Sequence, residues 1–305
     1  MSAITIQNIT KTYKMKHKVI QALDDICLTI EHGELFGLIG PDGAGKTSLF
    51  RILTTLLLSD SGNASVLGLD VRKKIREIRA KVGYMPGRFS LYQDLTILEN
   101  LNFFANIFGT TIEAQYDQIK DIYQQIEPFK NRRAGALSGG MKQKLALCCA
   151  LVHKPEVLFL DEPTTGVDPV SRKEFWAILK HLNENGLTIL VSTPYMDEAS
   201  MCQRIALMQD GKIMSINKPD NIVENFSKKL YAVKSEHNYK LLKLLRSKDY
   251  VDSCFMFGDQ LHITFHSEFV GDDIPSNATV KEINPEIEDC FIDLMQNKKE
   301  KNENN

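Results

Sequence analysis

The sequence lacks any long apolar run. Its longest, Leu145 to Val152, has eight residues, far short of the ~20 that a membrane-spanning helix needs. The first residues, MSAITIQNITKTYK, hold no apolar signal-peptide core, so the chain is expected to stay in the cytosol. An excess of either charge is missing too. The 37 Lys and Arg against 39 Asp and Glu leave a formal net charge of −2, which argues against a generic nucleic-acid binder. The six cysteines (Cys27, Cys148, Cys149, Cys202, Cys254, Cys290) form no CxxC pair and no Cys/His cluster. Buried thiols in a reducing compartment are expected rather than metal or redox sites. The seven histidines are dispersed, without HExxH-type spacing, so a dedicated metal cage is not expected. Internal repeats are also absent. What is there is an ordinary globular composition: 305 residues, 43% hydrophobic and 25% charged. That excludes wholesale disorder and suffices for one large domain, or a domain with an appendage.

Residues from about 1 to 216 alternate strand-like and helix-like segments, as an α/β domain does. Glu34 to Ile39 reads as a buried strand running into a glycine-rich turn, Thr47 to Leu58 as a helix, and Val157 to Leu160 as a second buried strand. From about Gly87 to Gly135 helical periodicity outweighs strand. Counting the apolar helix that follows, a helical insertion runs from about 87 to 150. Beyond Ile216-Asn-Lys-Pro219 the segments become short. Leu261, Ile263 and Phe265 alternate as in a half-buried strand after a Gly258-Asp259 turn signal, and Ile287, Phe291, Leu294 and Met295 fall at helical spacing. A small α+β domain is therefore expected over about 220–297, and residues 298–305, KKEKNENN, are expected to fray.

Three segments carry chemistry. Gly40-Pro-Asp-Gly-Ala-Gly45-Lys46-Thr47 satisfies GxxxxGK[ST] between a predicted strand and a predicted helix. Its glycines let backbone N–H groups turn inward around a polyphosphate, Lys46 supplies a point charge, and the Thr47 hydroxyl can ligate Mg²⁺. Val157-Leu-Phe-Leu-Asp161-Glu162 ends an apolar strand in two carboxylates. They read either as a helix N-cap or, coupled to the upstream loop, as an Asp161 that holds Mg²⁺ through water and a Glu162 that polarises an attacking water. Leu137-Ser138-Gly139-Gly140 opens a helix on which Met141, Leu145, Cys148 and Val152 share a face. Ser138 there is an ordinary N-cap or part of a second anion site.

In this order, over about residues 1–216, the motifs resemble the ATP-binding subunits of ATP-binding cassette (ABC) transporters. The resemblance implies a P-loop NTPase core with a helical subdomain, followed here by the small C-terminal domain. It implies that Gly40, Pro41, Asp42, Gly43, Ala44, Gly45, Lys46, Thr47 and Ser48 cradle ATP. Thr47 and Asp161 would hold Mg²⁺, with Glu162 as general base. Ser138, Gly139 and Gly140 would cap the γ-phosphate of ATP held by a second ATPase subunit in a head-to-tail dimer, which Gly166-Val167-Asp168 would contact. Tyr13 matches the aromatic that stacks on adenine; its other reading is a surface strand tyrosine. Tyr84-Met85-Pro86 and the segment from Leu91 to Asn100 resemble the lead-in to the region that docks transmembrane permease subunits. There Phe89, Tyr92, Phe103 and Phe104 would line a groove or fill the insertion's core. Pro285 to Phe291 resembles the tail of ATPases serving ABC-2-type exporters of drugs, polysaccharides or lipids. The chain would then sit in the cytoplasm, peripheral on the inner face of the cell membrane.

Two positions depart from the family pattern. Gly87 stands where Gln is usual after Tyr-x-Pro, and Pro194 where His follows Ser192-Thr193. Proline offers neither a side-chain donor nor an N–H. Asp42 replaces the commoner Asn and is expected to point away from phosphate. The expectation is an ATPase powering an exporter. Its own site is either degraded and paired with a different ATPase, or works through Glu162 with the two substitutions tolerated; the pair is a homodimer or a heterodimer, with the heterodimer favoured. The alternatives are a non-hydrolysing regulatory ATP-binding subunit and a soluble ABC ATPase not linked to transport.

Overall fold

The computed structural model describes residues 2–15, 18–266, 274–275 and 277–303. The chain divides into two compact units, 1–218 and 219–305.

The first unit carries two sheets. Strands β1 (Ser2–Met15) and β2 (Lys18–Glu31) pair antiparallel, and β4 (Ser61–Val66) and β5 (Leu69–Asp70) extend that sheet in the order β2-β1-β4-β5. Alternate residues of β2, among them Ile26, Leu28 and Ile30, point into the core, the period-2 signature of a sheet with one wet face. The other sheet comprises β3 (Leu35–Ile39), β6 (Val82–Met85), β7 (Val157–Asp161), β8 (Thr188–Thr193), β9 (Arg204–Gln209) and β10 (Lys212–Asn217), in the order β10-β9-β3-β8-β7-β6. All pairs are parallel except β9–β10. Every residue of β3, β7 and β8 is buried, as in a parallel sheet covered on both faces. Phe50 and Phe159 meet edge to face there, with centroids 6.0 Å apart. The register sets Ile39 beside Thr193 and Asp161 beside Ser192. The carboxyl ends of the strands thus share one edge, where ligands of open α/β sheets bind.

The helices of this unit are α1 (Lys46–Leu53), α2 (Ile75–Lys81), α3 (Ile97–Ile107), α4 (Tyr116–Tyr123), α5 (Gly139–Leu151) and α6 (Pro169–Glu184). Helix α1 stops well short of Leu58. The Thr54 hydroxyl donates back to Phe50 O at 2.8 Å, and Thr55 turns to φ 64°, a left-handed backbone that no helix continues through. Helix α5 is buried on more than the single face expected, because it packs against α3, α4, α6 and β6. Burial pushes the thiols of Cys148 and Cys149 up, which keeps them inert. Cys27, by contrast, is exposed.

The second unit holds α7 (Pro219–Glu224), β11 (Leu230–Lys234), α8 (Asn238–Arg246), β12 (Val251–Phe257), β13 (Gln260–Phe265), β14 (Thr279–Ile283) and α9 (Ile287–Glu303). Its sheet is antiparallel, in the order β12-β13-β11-β14. Strand β13 is not half-buried, for both of its faces are covered. Leu261, Ile263 and Phe265 pack with Leu241, Leu242 and Leu245 of α8. On the other face His262 Nδ1 lies 2.7 Å from Asp289 Oδ1 of α9, and Thr264 donates to Asp252 at 2.6 Å. Polar side chains can go inside here because each has a partner. Helix α9 runs to Glu303, and residues 304–305 of the segment expected to fray lie outside the described residues.

Asp60 ties the segment before β4 to β1. Its carboxylate accepts from Lys11 Nζ at 2.7 Å, from Thr12 N at 2.6 Å and from Thr12 Oγ1 at 2.7 Å. The Lys11 bond, then the Thr12 bonds, hold the carboxyl down at about 2. A depressed folded pKa adds stability above the ordinary carboxylate range and loses it as pH falls toward the folded value. Asp60→Asn should therefore lower the thermal midpoint at pH 6, and the gap to the parent should close between about pH 4 and about 2. Phe159→Ala, which empties a fully buried site, should cost about 3–5 kcal/mol in urea unfolding.

Candidate functional site

The site is built at the edge where β3, β6, β7 and β8 end. Beyond β3 the chain turns at Gly40, whose N–H donates to Thr193 O at 3.2 Å. A Cβ at Gly40 would lie 2.1 Å from Met208 O, and one at Gly45, with φ 108°, would lie 2.2 Å from Ala22 O. Only glycine allows the loop to sit this close to its neighbours. Asp42 and Gly43 are exposed and Ala44 is buried.

Gly45 is the N-cap of α1 and offers no side-chain bond, whereas Thr96, Ser138 and Asp168 each cap their helix. The first N–H groups of α1 lack intrahelical partners, and Lys46 stands at the same place. Loop, free donors, helix dipole and cation together fit a polyphosphate. The Lys46 amine is almost fully buried and bonds Gly40 O at 2.7 Å and Pro41 O at 3.0 Å. It also lies 3.1 Å from Glu162 Oε1. Thr47 and Ser48, in the first turn, are partly exposed. The Ser48 hydroxyl meets that of Tyr13 at 3.1 Å, so β1 brings the Tyr13 ring to the start of α1.

Asp161, buried at the end of β7, accepts from Ser192 Oγ at 2.6 Å. Neither Asp161 nor Glu162 caps a helix. Glu162 opens a turn at φ 52°, its N–H donating to Ser192 O at 3.0 Å and lying 3.1 Å from Ser192 Oγ. Gly87 follows β6 against this turn, and a Cβ there would lie 2.9 Å from Asp161 O.

Ser192 and Glu198 escaped the sequence reading. Buried Glu198 accepts from Thr164 Oγ1 at 2.7 Å, Thr193 Oγ1 at 2.5 Å and Arg172 Nε at 3.2 Å. It thereby joins the turn after Glu162, the end of β8 beside Pro194, and α6. A Glu in an Asp-Glu pair after a strand carries no local signal of that role.

Ser138 is the N-cap of α5 and accepts from Met141 N at 3.3 Å. Gly140 lies against Ser171, where a Cβ would come within 2.6 Å of Oγ, and the Cβ position of Gly139 is 3.6 Å from Gly166 O. Asp168 caps α6 through Ser171 N at 3.0 Å, a bond that holds its carboxyl below the usual range. Among the described residues no hydrogen bond or ion pair links Ser138–Gly140 to residues 40–48. The two candidate anion-binding elements are separately formed.

A cavity of about 610 Å³ opens between β6, α3 and α5, with Tyr84, Met85, Phe89, Phe104, Phe108 and His153 in its walls. Tyr92 and Phe103 are outside it and pack edge to face, 4.8 Å apart. Burial, with Asp161 nearby, pushes the Tyr84 hydroxyl up to about 12. His153 stacks on Phe108 at 3.7 Å, and its burial lowers its pKa and favours the neutral ring. Among the described residues no helix is long and apolar enough to cross a membrane, and no cluster of His, Cys, Asp and Glu could hold a metal.

Residues 23–165 match the family described as ABC transporter. The chain is 40% identical over 304 residues to the probable multidrug ABC transporter ATP-binding protein YbhF of Escherichia coli (strain K12), covering 96% of this chain and 52% of that protein. It thus spans about half the length of that relative. It is 32% identical over 306 residues to the Nod factor export ATP-binding protein I of Rhizobium sp. (strain N33), covering 98% of this chain and 99% of that one. Among solved structures, the ATP-binding cassette MJ0796, a dimer bound to ADP and Pi, superposes with a TM-score of 0.65 at 29% identity, covering 70% of this chain and 98% of that one. Similarity along nearly the whole length of an export ATP-binding protein, joined to this loop and sheet edge, makes the chain a member of the ABC transporter ATP-binding family.

Proposed function

We propose that the chain is the ATP-binding and ATP-hydrolysing subunit of an ABC exporter. One observation carries the reading: the phosphate loop and the Ser138–Gly140 helix start are both formed, yet among the described residues no hydrogen bond or ion pair joins them directly. A head-to-tail second cassette would close each over the other's nucleotide, which explains two half-sites better than one complete site would. The names of the relatives, a multidrug transporter and a Nod factor export protein, favour export.

In this reading Lys46 and the α1 N-terminus hold the β- and γ-phosphates, and Thr47 and Asp161 hold Mg²⁺, Asp161 through water. The metal ion, when bound, supplies charge neutralisation on the phosphates. Tyr13 stacks on adenine, with its hydroxyl anchored on Ser48. Glu162 accepts the proton of the attacking water. Closure and reopening of the pair drive transmembrane permease subunits, which dock in the aromatic cavity beside β6. The chain works in the cytoplasm at the inner face of the cell membrane.

Gly87 and Pro194 favour a slow site. Losing one preorganised donor where charge develops costs about 10²–10³ in rate, and two losses in one site need not multiply. The partner is then best a different ATPase, whose complete site would use Ser138, Gly139 and Gly140 of this chain. The same two residues give a second reading, a regulatory subunit that binds ATP without hydrolysing it.

Steady-state ATPase turnover of the purified chain, beside Glu162→Gln, separates these. Slow turnover that Glu162→Gln abolishes is the expected result. Fast turnover by the chain alone would remove the degraded-site reading. ATP binding with no turnover would point to an asymmetric pair with a second ATPase or to the regulator, and absence of ATP binding would overturn the proposal.

A further inference from the structure

Lys46 is 3% exposed. A buried ammonium needs compensating charge as well as hydrogen bonds. The two carbonyls of its own loop supply hydrogen bonds. The charge comes from Glu162 at 3.1 Å, the one carboxylate within ion-pair distance of Lys46 among the described residues. That approach is built into the backbone. Glu162 sits at φ 52°, a left-handed conformation costly for a side chain of its kind. Ser192 fixes its N–H. The carboxylate itself is held only by Lys46 among the described hydrogen bonds and ion pairs, and at 22% side-chain exposure it can turn toward solvent.

We infer that Glu162 is an internal competitor of the nucleotide: its carboxylate holds Lys46 in the nucleotide-free chain and must release it before a phosphate oxygen can take its place. This rests on the nucleotide-binding reading above. It gives Glu162 a second task, carried out before any chemistry, and makes its freedom to act as a base conditional on a phosphate having taken Lys46. Because the ion pair exists in one state only, its strength is a coupling free energy that must appear twice. Weakening the pair should lower the stability of the free chain and raise nucleotide affinity by a corresponding amount.

The test is ADP binding, by titration calorimetry, to the full chain, Glu162→Gln and Glu162→Asp, at concentrations where sedimentation shows monomers. ADP is not hydrolysed, and its β-phosphate reaches Lys46, so neither turnover nor γ-phosphate capping enters the readout. Glu162→Gln removes the charge; Glu162→Asp keeps it on a side chain one methylene too short to reach the amine. Both should bind ADP about tenfold more tightly than the parent, the scale of one charge-assisted hydrogen bond. Both should melt lower without nucleotide, with the difference narrowing at saturating ADP. Tightening in the Gln variant but not the Asp variant would mean simple repulsion between carboxylate and phosphate, and would overturn the inference. Unchanged affinity in both would overturn it as well. Should Glu162→Gln fail to fold, the Asp variant alone decides between the outcomes. No ADP binding by any of the three proteins would instead sink the nucleotide-site reading, and this inference with it.

Discussion

The charge on Lys46 is held almost wholly out of water, and the loop, the sheet edge and the carboxylate turn are arranged around it. The cost of such a charge is met only by close, well-aimed oxygens, so the Gly40 and Pro41 carbonyls must point inward. They can do so because the loop presses against Met208 O and Ala22 O at distances that no side chain would survive. Glu162 completes the shell from a different strand. The parallel register fixes where β3 and β7 end relative to each other through β8, which pairs with both. A shift of one residue in either ladder would move the Glu162 carboxylate off Lys46, so the meeting of loop and carboxylate depends on a sheet interior that contains neither.

Part of the polar burial follows the same edge. Lys46, Asp161, Thr164, Ser192, Thr193 and Glu198 are all buried, and all lie at or just beyond strand ends. Ser192 serves both acidic residues, through its hydroxyl to Asp161 and through its carbonyl to the N–H of Glu162. Glu198 gathers Thr164, Thr193 and Arg172, and Arg172 also pairs with Asp197 at 3.0 Å and stacks 4.4 Å over Tyr195. The turn between Glu162 and Asp168 is therefore anchored at both ends. One end meets the phosphate loop through Lys46. The other meets the α5 start through Gly166 and Ser171, beside Gly139 and Gly140. The phosphate loop and the α5 start, which share no direct bond among the described residues, are both contacted by this turn.

The phosphate loop was legible in the sequence because its chemistry demands particular residues at contiguous positions. The same holds for Asp161 and Glu162 at the end of an apolar run. Ser192 and Glu198 were not, since their partners are distant along the chain and neither side chain breaks a local pattern. The sequence predicts a longer α1 because Leu56-Leu57-Leu58 continues the apolar character past the point where Thr55 turns left-handed. The alternation in β13 predicts a half-buried strand, yet its polar face is covered by α9, with His262 finding Asp289 twenty-seven residues on. In α5 the shared face of Met141, Leu145, Cys148 and Val152 predicts burial on one side, whereas the second half of the helix is apolar nearly all round and is buried on several sides. For Ser192, Glu198, β13 and α5 the deciding contact is tertiary; for α1 it is the local turn at Thr54 and Thr55.

Gly87 and Pro194 differ in what the fold does about them. At Gly87 the backbone lies so near Asp161 O that a Cβ would be pressed to 2.9 Å. A side chain there would need the end of β6 to move away from the carboxylates, so the turn is shaped for glycine and is not simply a longer residue cut short. At Pro194 no comparable approach accounts for the residue; the neighbouring Thr193 hydroxyl is spent on Glu198, and Tyr195 N donates to Thr193 Oγ1 at 3.1 Å. The hydroxyl and amide that flank the proline are thus committed inward, and neither is left to reach a phosphate. If the function proposed above holds, binding and hydrolysis are separable on this basis. The residues proposed to hold a polyphosphate, the loop, the α1 start and Lys46, are closely packed. At the two positions proposed to tune the chemistry, Gly87 is closely packed against Asp161 O and Pro194 brings a rigid ring.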